Sequence, residues 1–149
     1  MAPTHYKRPG GPYYPGVPEH PKGVDILDNI DTAQTQEELL GPGIKDWFHD
    51  EVKSGSTWDY KQWGLHYPPL PGGYGTDQYD DFGNFNFGAV ASALGIPLWL
   101  ALYEADQAHL QDHHGQAPNP TDHGDDWITK GYKWEESRKA AKACHDFGL

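Results

Sequence analysis

One stretch organises this chain: YDDFGNFNFG at residues 79–88, which leads directly into an apolar segment. Gly83 and Gly88 permit backbone conformations or close approaches that a Cβ atom would prevent. Asn84 and Asn86 each place an amide donor and acceptor between aromatic rings. We interpret the stretch as a loop that lines a polar groove, with its three phenylalanines in the core. A helix cap is the alternative role for the asparagines.

Length, charge and cysteine content limit the classes of function that are possible for this chain. The chain has 149 residues, the size of one domain, and its formal charge of -11 opposes contact with phosphate backbones, so no nucleic-acid partner is expected. The single cysteine, Cys144, excludes an intrachain disulfide, and we expect it to be buried in a helix. The most apolar window, residues 89–102, is too short for a membrane span and predicts a buried helix. The N-terminus lacks an apolar signal core, which predicts either a cytosolic protein or one whose leader is absent.

Hydrophobic periodicity and turn residues predict a mainly α fold. Proline and glycine dominate residues 1–24, which we expect to form an irregular arm before a domain at residues 25–149. Helical patterns occupy 32–40, 44–53, a segment from 87 to about 94, 97–111 and 126–147, and Asp25, Asp28 or Asp31 could cap the first of these helices. Alternation at residues 56–63 predicts a short strand. The expected fold is a single compact helical domain with this short β element in the middle, and an α+β lysozyme-like arrangement is the alternative.

The inward faces of two helices are also expected from the sequence. Glu51 falls on the apolar stripe of the helix at residues 44–53, where Trp47 and Phe48 also lie. The last helix is expected to face the core through five residues. These are Trp127, Ile128, Trp134, Ala141 and Cys144.

Two carboxylates form the strongest candidate for chemistry. Asp59 follows Glu51 by eight residues in an extended segment, so a tight turn would bring both carboxyl groups to one cleft. A desolvated acid beside an ionised carboxylate is the arrangement that glycoside hydrolysis uses. The alternative is that Glu51 is exposed at a frayed helix end and that Asp59 pairs with Lys61.

Other acidic and histidine clusters are weaker candidates. The pairs at residues 80–81 and 125–126 could each supply a second carboxylate, although a helix cap is favoured for the latter pair. Glu104, in an apolar helix, has no adjoining glycine-rich turn. His109 and His113 have the spacing of zinc ligands, but the glutamate of a metalloprotease helix is missing between them. We therefore expect no metal and no cofactor.

Several blocks of the sequence resemble a known family. They are WF at 47–48, VK at 52–53, WDYKQ at 58–62, FGNFNFGA at 82–89 and GDDWITKG at 124–131. Over about residues 29–131 the chain is similar to the domain called bacterial toxin 44, which occurs at the C-termini of bacterial polymorphic toxins. Similar domains occur in secreted fungal proteins, some joined to small SH3-like cell-wall-binding modules, and those fungal proteins are muramidases. Bacterial members often have Tyr and Thr where this chain has Phe87 and Val90, which are modest departures at packing positions.

The resemblance implies a secreted, extracellular muramidase, an antimicrobial lysozyme that cleaves the β-1,4 bond between N-acetylmuramic acid and N-acetylglucosamine in bacterial peptidoglycan. By motif position, Asp59 carries over as catalytic, and Asn84 and Asn86 carry over as substrate-binding. Asp126 carries over less directly. Physical reasoning, rather than the family, puts Glu51 first and Asp81 next as the second catalytic carboxylate. Further substrate contacts are expected from Tyr60, Lys61, Trp63 and Tyr79.

The same sequence blocks also bear on binding partners and on alternative functions of the chain. The resemblance implies a monomer without a membrane partner, and the arm is where an SH3-like wall-binding module outside this chain would join. One alternative is a toxin-type ribonuclease, in which His49 or His66 acts as acid and base and Lys61 stabilises the phosphorane-like state. The other is a non-catalytic wall-binding module that uses its exposed aromatic residues.

Overall fold

The computed structural model describes residues 14–53, 55–60, 79–112 and 124–148, with only the backbone described for 109–112. Within these ranges the chain forms helices and turns, and no strand is present. The expectation of a mainly α fold is confirmed. The α-helices are α1 (Ile26–Leu40), α2 (Ile44–Val52), α3 (Asp80–Ala93), α4 (Leu98–Asp112) and α5 (Gly124–Asp146), and a 3-10 helix (Gly41–Gly43) joins α1 to α2.

Helix α1 begins after Asp25, the earliest of the three caps that the sequence offered. The side chain of Asp25 accepts a hydrogen bond of 2.9 Å from the Leu27 N–H and caps the helix, as Ser, Thr, Asp and Asn commonly do. Ile26, Ile30 and Ala33 form its buried stripe, so tertiary packing extends the helix over residues 26–31. The predicted helix at 44–53 agrees with α2 to within one residue.

The stretch YDDFGNFNFG was expected to be a loop, and this prediction was wrong. Its residues from Asp80 onward form the first turns of α3, and Phe82, Phe85 and Asn86 face the core. The two glycines with the closest neighbours are Gly88 on α3 and Gly131 on α5. A Cβ atom at Gly88 would overlap the carbonyl oxygen of Ile128, and one at Gly131 would overlap that of Phe85. Both glycines are therefore needed because the backbones of α3 and α5 touch where these helices cross.

The expected strand is also absent from the described part of its range. Residues 56–59 form turns, whereas residues 61–63 lie outside the described ranges. The Trp58 N–H and the Ser56 hydroxyl both donate to the carbonyl oxygen of Glu51, each at 2.7 Å. The segment is folded back onto the end of α2, and these donors are not available to a strand.

The expected burial is confirmed for residues 89–92 on α3, but it was wrong for Trp99 on α4 and for the end of α5. The apolar window at residues 89–102 is divided by a turn at Gly95, whose φ is 74°, and Trp99 beyond it is 70% exposed. On α5, Ile128, Gly131 and Glu135 are buried. Ala141 and Cys144 are exposed, because nothing in the described part of the chain covers the last turns of this helix.

The described part of the arm, residues 14–24, lies against the helices. Val17, His20 and Val24 are buried, and the ring of His20 lies 5.2 Å from that of Phe82 on α3. Trp134 Nε1 on α5 donates to the carbonyl oxygen of Pro15 at 3.0 Å. These residues contribute to the core although they form no helix.

Within the described ranges, no helix combines the length and apolar character that crossing a membrane requires.

Candidate active site

The turn after α2 brings Glu51 and Asp59 onto adjoining backbone segments. Besides the bond from Trp58 to Glu51, the Asp59 N–H donates to the Ser56 carbonyl oxygen at 3.1 Å. Gly55, with a φ of 83°, donates its N–H to Asp59 Oδ2 at 2.8 Å. Asp59 is 7% exposed and its carboxylate accepts from a backbone donor, whereas Glu51 is half-buried.

Aromatic packing fixes this turn on the helices. The Trp58 ring lies edge-on to Trp47 at 5.4 Å and to Phe48 at 6.4 Å between centroids. Phe48 in turn stacks on Phe87 of α3 at 5.0 Å. Trp58, the residue before Asp59, is therefore held by a cluster that spans α2 and α3.

A polar cluster includes Tyr60, the residue that follows Asp59 in the sequence. Asn29 Nδ2 on α1 donates to the Tyr60 hydroxyl oxygen at 2.9 Å and to Asn86 Oδ1 on α3, also at 2.9 Å. Tyr60 is 3% exposed and Asn86 is fully buried. The Nδ2 atom of Asn86 is a buried donor without a hydrogen-bond partner in the part of the chain that the structure describes. Three separate elements thus meet at one network of amides and a phenol.

The electrostatic environment keeps the Tyr60 phenol protonated. Burial raises the pKa of Tyr60 well above its ordinary value, the hydrogen bond from Asn29 lowers it, and the charge of Glu51 raises it. The phenol has a proton to donate throughout the physiological pH range.

Four other predicted site residues lie on α3 or directly before it. Tyr79 is buried at the start of this helix, and burial raises the pKa of its hydroxyl, with a smaller contribution from Glu19. Asp81 is exposed in the first turn. Asn84 is half-buried, and its Nδ2 donates to the Asp80 carbonyl oxygen at 3.2 Å, one turn back. Asn86 is the member of this set that the fold brings to Tyr60.

The remaining predicted residues lie apart from this network or outside the described ranges. Asp126 is exposed in the first turn of α5, and Glu104 is exposed on α4. Lys61, Trp63 and His66 lie outside the described residues, as do the side chains of the histidine cluster at 109–114. His49, of the ribonuclease alternative, is exposed on α2. Among the described residues, no group of three His, Cys, Asp or Glu side chains is placed to hold a metal ion.

Sequence reasoning missed Asn29, although a signal was present. Asn29 lies on the same face of α1 as Ile26, Ile30 and Ala33, so it is a polar residue on an apolar stripe. A buried amide in such a position needs hydrogen-bond partners from another element. The same reasoning applies to Glu135, which is fully buried on α5 and which the sequence analysis did not consider.

Glu135 has a structural partner of its own. Arg138 Nε and Nη2 donate to its two carboxylate oxygens at 2.6 and 3.1 Å. This bond to Glu135 raises the pKa of Arg138. The pair satisfies a buried charge within α5, and we assign it no role in chemistry.

Comparison of the chain with protein-family models, with curated proteins and with solved structures finds no match.

Proposed function

We propose that this protein is a muramidase, a glycoside hydrolase that cleaves the β-1,4 bond between N-acetylmuramic acid and N-acetylglucosamine in bacterial peptidoglycan. The observation that carries the proposal is the buried Asp59 carboxylate, fixed by the Gly55 N–H in the turn that also contacts Glu51. The similarity of the WDYKQ and FGNFNFGA blocks to those of secreted muramidases supports the same reaction. In this proposal the protein is secreted and acts without a cofactor.

Glycoside hydrolysis requires two carboxyl groups with different roles. One protonates the oxygen of the leaving sugar, and the other activates water or attacks the anomeric carbon. Asp59 and Glu51 divide these roles in our proposal, because the fold places them on adjoining segments and leaves the Glu51 side chain partly accessible. Asp81, exposed in the first turn of α3, is the alternative second carboxylate.

The degree of burial distinguishes the residues proposed to contact substrate from the residues that support them. Asn86 and Tyr60 are almost fully covered, so their role is to hold the floor of the site. Asn84, in the GNFN block at residues 83–86, is half-buried and is able to contact an acetamido group. Lys61 and Trp63 follow Tyr60 directly in sequence, and we propose that they extend the substrate contacts along the glycan.

The products released from purified peptidoglycan test this proposal. The protein is incubated with the polymer at acid and at neutral pH, and the soluble fragments are reduced and identified by mass spectrometry. We expect fragments that end in reducing N-acetylmuramic acid. Reducing N-acetylglucosamine or anhydro-muramic ends would contradict muramidase activity, and cleavage of RNA without release from the wall would favour the ribonuclease alternative.

A further inference from the structure

We propose that Asn29 is a positioning residue for the Asp59 carboxylate, on which it acts through Tyr60. The inference rests on the proposed function, because it assigns Asn29 a part in a reaction that Asp59 carries out. Asn29 lies on α1, and the turn that contains Asp59 follows α2, so the two residues belong to separate elements.

Asp59 lies in the sequence between two anchored aromatic residues. Trp58, on one side, packs edge-on against Trp47 at 5.4 Å between ring centroids. Tyr60, on the other side, is 3% exposed and packs edge-on against Phe82 of α3 at 5.0 Å. Because neighbouring Cα atoms are only about 3.8 Å apart, the positions of these two anchors determine where the main chain of Asp59 lies.

The hydrogen bonds of Asp59 itself stay within the turn. Its carboxylate accepts from the Gly55 N–H at 2.8 Å, and its own N–H donates to the Ser56 carbonyl oxygen at 3.1 Å. These bonds set the carboxylate relative to the turn. How the turn lies against α1 and α3 depends on contacts that leave it, and Tyr60 makes such contacts with both helices.

Asn29 fixes the far end of the Tyr60 ring. A packed ring is able to shift in its own plane, whereas a hydrogen bond to the phenol oxygen restricts the position of that atom. Asn29 Nδ2 donates to this oxygen at 2.9 Å, and it also donates to Asn86 Oδ1 at 2.9 Å. Asn86 is fully buried on α3, so Asn29 is itself held in place. The fixation requires only that the phenol oxygen accepts, whichever way its proton points.

Removal of this one hydrogen bond should slow the reaction more than it affects substrate binding. A displacement of a catalytic group by about 1 Å can lower a rate by about a hundredfold. Tyr60→Phe keeps the packed ring, and Asn29→Leu keeps the branched shape of asparagine without its polar atoms. We expect each variant to lower kcat on peptidoglycan by about tenfold, per folded molecule, and to leave KM within about twofold.

Two matched controls accompany these variants. Tyr103→Phe makes the same change on a largely exposed tyrosine of α4, and Gln36→Leu replaces a half-buried amide of α1. Both should retain the kcat of the wild type. Helical circular dichroism gives the folded fraction by which each rate is normalised.

A double-mutant cycle tests whether Asn29 acts through Tyr60. Since Tyr60→Phe already removes the hydrogen bond, adding Asn29→Leu should cause little further loss of kcat. Losses that multiply in the double variant, or a kcat of the wild type in either single variant, would overturn the inference and leave the muramidase proposal intact.

Amide hydrogen exchange at Gly55 follows the Asp59 carboxylate without reference to activity. The Gly55 N–H donates to this carboxylate, so the amide should exchange faster when the carboxylate loses its position. We expect an increase of about fivefold in both Tyr60→Phe and Asn29→Leu, measured by NMR, which corresponds to the contribution of one typical hydrogen bond. This result in a protein without activity on peptidoglycan would support the positioning and contradict the proposed function.

The Lys53 N–H is the control amide for this measurement. It donates to the His49 carbonyl oxygen at 3.0 Å at the end of α2, two residues before Gly55, and should keep its exchange rate. Equal acceleration at both amides would indicate general loosening of the fold, and unchanged exchange at Gly55 would show that Asn29 does not influence the carboxylate. Either result would overturn the inference.

Discussion

The hydroxyl of Tyr60 accepts a hydrogen bond from Asn29 and is shielded from solvent. Burial is the main cause that raises the pKa of this residue above its ordinary value of about 10. Since the folded state holds the proton more tightly than the unfolded state, the resulting stability is fully present below pH 10. It decreases as the pH rises toward the folded-state pKa.

We therefore predict that the free energy of unfolding declines as the pH rises above about 10, and that Tyr60→Phe reduces this decline. Urea titrations at several pH values measure it. Tyr103→Phe is the matched control, because Tyr103 is largely exposed on α4 and should leave the slope of the wild type unchanged. The same decline in wild type and Tyr60→Phe would contradict this account of the buried phenol.

The sequence predicted some members of the candidate site and not others for definite reasons. Asp59 and Tyr60 were found because they stand in a recognisable block, and Asn86 because an amide lies among phenylalanines. Asn29 was missed because its partners come from segments 31 and 57 residues away. Such contacts depend on how α1, the turn and α3 meet, which local patterns do not specify.

At the scale of secondary-structure elements, the contact between helices α3 and α5 is central to the fold. Glycine lowers helix stability by about 1 kcal/mol relative to alanine, so the GNFN block looks like a loop when its local preferences are considered alone. Packing reverses this preference, since Gly88 and Gly131 allow the two backbones to touch. The prediction of a loop failed at α3 because the helix is stabilised by a neighbour 40 residues later in the chain.

A methyl group at this crossing should be strongly destabilising. We predict that Gly88→Ala lowers the free energy of unfolding by about 3 kcal/mol or more, because the backbone of Ile128 has to move. Gly43→Ala is the control: its φ is -78°, its added Cβ would lie 3.9 Å from the Leu40 Cβ, and we expect a change below about 0.5 kcal/mol.

Thermal and urea unfolding followed by circular dichroism measure both glycine variants. A Gly88→Ala protein as stable as Gly43→Ala would show that α3 and α5 do not approach as closely as described.

Charge acts at the scale of the whole molecule. The formal charge of -11 repels an anionic cell wall as it repels a nucleic acid. Salt screens such repulsion over a Debye length of about 10 Å at 0.1 M ionic strength. A protein that bound phosphates through basic side chains would instead lose affinity steeply as salt increased.

We therefore predict that the initial rate of peptidoglycan hydrolysis rises, chiefly through a lower KM, when salt is increased from about 10 mM to about 100 mM. Rates of reducing-end release over a salt series provide the measurement. A rate that falls several-fold over this range would indicate an attractive basic surface and would contradict the prediction.

The proposal as a whole depends on Asp59, and one comparison tests it most directly. The initial rate of reducing-end release from purified peptidoglycan is measured for the wild type, Asp59→Asn and Asp50→Asn. Asp50 provides a matched control, because it is an exposed aspartate of α2. Its ion-pair partner Lys53, at 3.3 Å, is exposed as well.

We expect Asp59→Asn to lose about 99% of the rate or more while its helical circular dichroism is retained, and Asp50→Asn to keep the rate of the wild type. An Asp59→Asn protein that releases the same products at the rate of the wild type would contradict the central claim that this buried carboxylate carries out the reaction.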